Sequence, residues 1–320
     1  MRRAIISGLA CAGLVFGMGQ AALAAWPEKP VKVIVPFGPG GTTDVLGRTV
    51  QRIIQDEKLM PEPMTIINVG GHFSVGSIQA KNAAPDGYTF LLVHLALLSG
   101  EVVDPSRKLS FRDFEPVALT GGFCLHHIVR EDSPYKTLQD LIDAAKAKPN
   151  QIVFGVNIGA LNHMGGGFLE KASGAKFRFA QVGGGAENYA ALKGGQTETT
   201  MLSSSEYQNF QGGGVRSLAY TGGKRLELQP NVPTAKELGL GYEFCINNYW
   251  LAPKGTPKEA IDGLADVLQK VVESKAFKEA QTKQASTTDF LRDEAFVKNL
   301  EETFGAVEPV AKGLVAAKKQ

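Results

Sequence analysis

The sequence predicts an α/β protein made of two lobes, between which the chain crosses twice. Short runs rich in β-branched residues alternate with amphipathic stretches at helical spacing along most of the chain. A chain of 320 residues is also too long for one ordinary hydrophobic core. Two extended runs, at 114–130 and 242–252, are too long for strands of one small sheet and therefore indicate crossovers between the lobes.

The amino terminus has the three parts of a secretory signal peptide. Arg2 and Arg3 precede an apolar run, and the small residues Ala22 and Ala24 provide a cleavage site. We therefore predict that residues 1–24 are removed after Ala24 and that the protein is exported. No later segment approaches the roughly eighteen continuous apolar residues that mark a membrane-spanning helix.

Charge and cysteine content narrow the possible functions. The chain has 34 basic and 32 acidic side chains, and loss of Arg2 and Arg3 with the signal peptide leaves equal numbers. This balance argues against nucleic-acid binding, which needs a basic surface. Cys124 and Cys245 remain after cleavage, and the sequence is equally compatible with one disulfide and with two buried thiols.

The first elements of the mature chain predict an anion-binding loop. Residues 31–35 are typical of a buried strand in a parallel sheet, and a helix is predicted over about 43–57. The loop between them holds Gly38, Gly40, Gly41, Thr42 and Thr43. The glycines permit backbone angles closed to other residues, and either threonine can cap the helix. The N–H groups of such a helix start suit a carboxylate or phosphate, although the same pattern also occurs in ordinary connections of α/β proteins. The loop lacks the Gly-Lys-Ser/Thr ending of a nucleotide-binding loop.

The remaining elements continue the alternation. Strands are predicted at 64–68, 89–93, 152–155, 176–181, 197–202 and 215–221. Helices are predicted around Ile78, after a cap at Thr137 and at 162–172, 187–193, 257–274 and 293–315. The last two helices close the first lobe, and their apolar stripe is core packing rather than a cofactor site. Ligands of such open sheets bind at loops that follow the strands.

Seven motifs occur in order along nearly the whole mature chain. They are WPEKPVKVIVPFGPGGTTDVLGR (26–48), APDGYTFLL (84–92), FEPVAL (114–119), KTLQDLIDAAKAKPNQIVFG (136–155), LKGGQ (192–196), NVPTAKELG (231–239) and LAPKGTPKEAI (251–261). The motifs resemble those of the Bug or TctC-like family, the substrate-binding proteins of tripartite tricarboxylate transporters. The resemblance implies a type II periplasmic-binding-protein fold that closes like a Venus flytrap. Lobe 1 is then expected to comprise 25–124 and 246–320, and lobe 2 to comprise 125–245.

Loop positions and the resemblance together predict the ligand-binding residues. They are Phe37, Gly38, Gly40, Gly41, Thr42, Thr43, Gly71, His72, His94, Asn157, Gly159, His163, Gly184, Gly185 and Ser203. Val69 and Gly183 stand where many relatives have Arg and Lys. The predicted pocket loops contain neither basic residue, so a bound carboxylate must rest on backbone N–H groups, hydroxyls, Asn, His and water.

The predicted function is that of a periplasmic solute-binding protein. The resemblance implies a monomer that binds a mono- or dicarboxylate and delivers it to membrane subunits of a tripartite transporter. No catalytic residue, metal ligand, cofactor or nucleic-acid partner is predicted. The spacing of His72, His94 and His163 supplies no pair of metal ligands on one helix face or strand.

Two alternative functions remain open at this stage. The same pocket could make the protein a ligand-loaded adaptor for a membrane sensor. A hydrolase would need Ser203, His163 and Asp44 as nucleophile, base and orienting acid, but the Gly-x-Ser-x-Gly elbow of α/β-hydrolases is missing from the sequence.

Overall fold

A computed structural model describes residues 26–70 and 72–317, so the predicted signal peptide and Gly71 lie outside the described residues. The strands are β1 (Val31–Val35), β2 (Met64–Asn68), β3 (Thr89–Val93), β4 (Phe114–Arg130), β5 (Val153–Val156), β6 (Arg178–Gln181), β7 (Thr199–Ser203), β8 (Val215–Tyr220), β9 (Cys245–Pro253) and β10 (Phe290–Arg292). The α-helices are α1 (Thr42–Asp56), α2 (Phe73–Lys81), α3 (Ala96–Val103), α4 (Leu138–Ala147), α5 (Leu161–Ser173), α6 (Gly185–Lys193), α7 (Ser204–Phe210), α8 (Lys258–Glu273), α9 (Lys275–Lys283) and α10 (Asp293–Ala317).

The strands form two parallel groups joined by two long antiparallel strands. Their order is β2-β1-β3-β9-β4-β7-β5-β6, with β8 and β10 also paired to β4. The β1, β2 and β3 strands pair in parallel, as do β5, β6 and β7. Since parallel strands need helical crossovers on the faces of the sheet, each group carries its own helices and forms its own lobe. The predicted α/β fold with two lobes is confirmed.

Strand β4 runs from one lobe into the other. From Phe114 to Cys124 it pairs with β9, and from Leu125 onward it pairs with β7 and β8. Both predicted crossover runs are therefore strands that lie side by side. Cys124 and Cys245 face each other in this pairing and form a disulfide, which decides between the two states that the sequence left open.

Strand β4 is buried on both faces at the point where it enters the second lobe. His126 and His127 are both fully buried, although strand alternation predicts that one of them points outward. The reason is that side chains from lobe 2 cover both faces: Ser217 bonds His126, and Tyr242 bonds His127. Both residues therefore serve packing.

The last helix contacts both lobes. In α10 the residues Phe296, Leu300, Val307 and Ala311 are buried, as the predicted apolar stripe requires. Helix α10 packs on α3 and also on α5, which lies in the second lobe. The expected bounds assign the whole of 246–320 to the first lobe, so this contact adds a second link between the lobes beside the crossover strands.

Candidate functional site

A cavity of about 240 Å³ lies between the two lobes. We call it the interlobe cavity, and it is lined by Phe37, Gly41, Thr42, Thr43, His94, Phe123, Leu125, Asn157, Ala160, Leu161, Asn162, Gly183, Gly184, Gly185, Met201, Ser203 and Glu206. Its volume corresponds to about eight waters at roughly 30 Å³ each. The cavity therefore has the size of a small organic molecule.

The first wall is the start of α1, and a buried carboxylate holds it in place. Asp44 accepts a hydrogen bond from the Gly40 N–H at 2.8 Å, and it also binds Arg48 and Asn68 at 2.9 Å. Burial raises the pKa of the Asp44 carboxyl, but the hydrogen bonds from Gly40, Arg48 and Asn68 outweigh it and lower the pKa below its ordinary value. The side chain of Asp44, in the first turn of α1, thus holds the preceding loop in place through its hydrogen bond with Gly40.

Two details of this loop differ from the sequence prediction. The α1 helix begins at Thr42 after an N-cap at Gly41, so both threonines lie inside the helix and neither caps it; the Thr43 hydroxyl instead donates to Asn248. A φ of +83° is found at Gly40, whereas Gly41 has an ordinary φ of −72°. Within the described chain, the N–H groups of Thr42 and Thr43 bond no protein acceptor, so they are free to bind a ligand.

The second lobe contributes two more helix starts. At α5, the Asn162 side chain accepts the Asn157 N–H at 3.0 Å and so shapes the turn that leads into the helix. At α6, Gly184 is the N-cap and Gly185 the first helical residue, and both line the interlobe cavity. Helices α1, α5 and α6 therefore all begin at the same cavity, each with its positive end toward it.

One acidic side chain also lines the cavity. Glu206 forms a capping box with Ser203: its Oε2 accepts the Ser203 N–H and the Ser203 hydroxyl, both at 2.8 Å. The carboxylate lies against Gly185, where a Cβ would collide with it. Among the described residues that line the cavity, none is Lys or Arg. The charge of this lining is therefore negative, apart from the helix ends.

Two of the aromatic rings that line the interlobe cavity stack on each other. The Phe37 and His94 rings lie 4.3 Å apart between centroids and nearly parallel. His94 Nδ1 accepts the Ala96 N–H at 3.1 Å, so its proton is assigned to Nε2. Burial lowers the pKa of His94 to about 3, so the ring is neutral at physiological pH and offers one N–H donor.

Most of the predicted ligand-binding residues meet at this cavity. Those on its lining are Phe37, Gly41, Thr42, Thr43, His94, Asn157, Gly184, Gly185 and Ser203. Gly38 and Gly40 precede it in the loop and do not line it. Gly159 and His72 lie on an adjoining cavity of about 400 Å³, which shares Phe37, His94 and Asn157 with the first. Gly71 lies outside the described residues.

His163 faces a third cavity and is engaged by its own loop. It lines a space of about 290 Å³ beside α10, and its Nδ1 accepts the Gly159 N–H at 3.0 Å. The hydrolase set is not assembled, because Ser203 bonds Glu206 and Asp44 bonds Gly40 and Arg48. The part of the chain that the structure describes contains no group of three metal-binding side chains.

Sequence reasoning missed several residues of the lining. Phe123 and Leu125 come from the crossover strand β4, and Met201 comes from β7. Their positions depend on how the two lobes meet, which no local pattern reveals. Glu206 could have been found, since Ser203 and Glu206 have the Ser-x-x-Glu spacing of a capping box at a predicted pocket loop.

The fold and the cavity define a class of protein. Solute-binding proteins typically have two α/β lobes, each with a parallel sheet, that are joined by crossing strands and enclose a small binding site. Solved structures agree. The periplasmic binding protein BugD is 27% identical with a TM-score of 0.76, over 90% of this chain and 98% of that one. A TctC solute-binding protein from Polaromonas is 26% identical with a TM-score of 0.75, over 92% and 100%. R. palustris Rpa4515, solved with adipate, is 24% identical and shares the fold with a TM-score of 0.80, over 90% and 98%.

The family follows from the sequence comparison. Residues 50–298 match the model of the tripartite tricarboxylate transporter family receptor, TctC, and the chain belongs to this family. Protein BugT of Bordetella pertussis is 30% identical over 82% of this chain and 82% of its own length. The predicted family is therefore confirmed. Of the helices in the described ranges, none has both the length and the apolar content needed to span a bilayer.

Proposed function

We propose that the protein binds one small organic acid in the interlobe cavity, in the periplasm, and delivers it unchanged to membrane subunits of a tripartite transporter. Membership of a transporter-receptor family supports the delivery role. The proposal includes a monomer and a division into lobes at Cys124 and Cys245. The change of pairing partners of β4 after Cys124 supports this division.

The observation that carries the proposal is the convergence of α1, α5 and α6 on one cavity. Each helix start carries roughly half a positive charge and unpaired N–H donors. Because the carboxylate of Glu206 already lies against the start of α6, the starts of α1 and α5 remain for a ligand anion, and together they offer it about one positive charge. The described residues of the lining include neither Lys nor Arg. A hydrogen bond to a charged group contributes about 1.5–3 kcal/mol, so two or three N–H donors suffice for specific binding.

The test is a thermal-shift screen of the mature protein against mono- and dicarboxylates, followed by titration calorimetry. A ligand at a hundred times its Kd stabilises the folded protein by about 2.7 kcal/mol, which raises the Tm measurably. If no acid raises the Tm while the protein hydrolyses an ester or amide, the binding role is wrong. Pull-down of the ligand-loaded protein with candidate membrane partners distinguishes a transporter from a sensor.

Two glycine variants test the anion site itself. Gly41→Ala puts a methyl group on the cavity wall. The variant should fold normally, since Gly41 has an ordinary φ and the added Cβ comes no closer than 3.6 Å to a neighbour. We expect its Kd to rise at least tenfold. Gly38→Ala is the matched control, because its Cβ meets nothing within 4 Å and it does not line the cavity. Equal affinities of both variants would contradict the proposed site.

A further inference from the structure

We propose that the ligand carries an ammonium group besides its carboxylate and that Glu206 binds this group, which makes Glu206 a specificity-determining residue. The inference rests on the proposed function, since it concerns the other end of the same ligand. It assigns the ligand to the class of small zwitterionic amino acids rather than to the dicarboxylates.

The first argument is that Glu206 has one carboxylate oxygen available. Oε2 is occupied by the N–H and hydroxyl of Ser203. Oε1 bonds no donor among the described residues, and the side chain forms part of the cavity wall. A negatively charged acceptor with no protein partner on the wall of a binding cavity is suited to a donor of the ligand, most strongly to a cationic one.

The second argument is that Glu206 occupies one of the three anion sites. Its carboxylate lies against Gly185 at the start of α6, so the positive end of α6 already faces a protein anion. The starts of α1 and α5 remain for a ligand carboxylate. The cavity thus pairs an anion site on one side with an anionic side chain on the other.

The third argument is charge balance in a small space. In about 240 Å³, a ligand with two carboxylates would bring its second charge close to Glu206, and no Lys or Arg of the described lining offsets that repulsion. A zwitterion presents a carboxylate to the helix starts and an ammonium to Glu206. Its net charge is zero, so the cavity gains no further negative charge.

The experiment compares ligands of equal length and different charge. The probes are linear amino acids of three to six carbons with a terminal amine, the dicarboxylates of the same length and the simple monocarboxylates, such as 4-aminobutanoate, succinate and butanoate. Titration calorimetry measures the Kd of each probe for the wild-type protein and for Glu206→Gln. Glutamine keeps the volume and can keep the capping box, so the variant should fold.

Glu187→Gln is the matched control. Glu187 lies in the first turn of the same helix α6, is exposed and does not line the interlobe cavity. Glu187→Gln therefore removes one negative charge near the start of α6, as Glu206→Gln does, without changing the cavity wall. We expect the wild type and Glu187→Gln to prefer the best amino acid over its matched dicarboxylate at least tenfold. In Glu206→Gln this preference should fall at least tenfold, with tighter binding of the dicarboxylate.

Three results would overturn the inference. The inference is wrong if the wild-type protein binds a dicarboxylate as tightly as the matched amino acid. It is also wrong if Glu206→Gln keeps the wild-type preference for the amino acid. If Glu187→Gln lost the preference for the amino acid to the same extent, the preference would come from the long-range electrostatic field of the carboxylates and not from a contact with Glu206. In each case carboxylates still bind and the proposed function stands, whereas failure of every acid to bind would reject both.

Discussion

Acid should destabilise this protein through the histidines buried in the crossover strand. His126 and His127 are fully buried, and burial lowers the pKa of each to about 3, with the neighbouring His127 adding to the effect on His126. In the unfolded chain both titrate near their ordinary pKa of about 6.5. Between pH 6.5 and 3 the unfolded state therefore binds protons that the folded state does not, and stability falls as the pH falls.

The size of the effect follows from this window. Each histidine changes the free energy of unfolding by about 1.4 kcal/mol per pH unit. Because each ring is only half protonated at pH 6.5 in the unfolded chain, the loss from pH 6.5 to pH 5 is about 1.7 kcal/mol per residue, or about 3 kcal/mol for the pair. Domains of this kind have a total stability of about 5–15 kcal/mol, so the pair alone removes a large share of it.

Urea unfolding followed by circular dichroism at several pH values between 4.5 and 7.5 measures this slope. His126→Gln and His127→Gln should each reduce the slope below pH 6 by about one proton, and the double variant by about two. The slope does not depend on how much either substitution destabilises the protein at neutral pH. An unchanged slope in the double variant would show that the two rings are not held neutral by burial.

Three further predictions concern packing, the disulfide and closure. Gly167→Ala should destabilise the protein by about 1–3 kcal/mol, because its Cβ would lie 2.7 Å from Val310 where α5 meets α10. Gly313→Ala in α10 meets nothing within 4 Å and should be neutral or stabilising by about 0.5–1 kcal/mol, so equal losses in urea unfolding would argue against the contact. Reduction of the disulfide between Cys124 and Cys245, 121 residues apart, should cost about 5 kcal/mol by the loop-entropy relation, and a change below about 1 kcal/mol would contradict it. Small-angle scattering should show a smaller radius of gyration with a saturating acid than without, since the ligand need only bind the closed form better; an unchanged radius would count against hinge closure.

Much of the fold follows from local sequence patterns. Strands β1, β2 and β3 and the long strand β4 have the predicted bounds, because runs of β-branched residues between glycine and proline turns determine strands locally. The capping box at Thr137 likewise starts α4 where it is predicted. Helices α3, α7 and α9 were missed. The shortest of them, α7, has seven residues, too few for a periodic pattern to show.

The sequence by itself determined the family, the two-lobe plan and the absence of basic residues from the predicted pocket loops. These are properties of residue type and order, which a single chain displays directly. Only the tertiary structure decided which loops meet. In it, Cys124 and Cys245 form a disulfide, His126 and His127 are both buried, and His163 lies outside the interlobe cavity. It also brought Glu206 onto the cavity wall against Gly185. These outcomes depend on contacts between residues far apart in the chain, and the energy of such contacts is set by packing between lobes rather than by local preference.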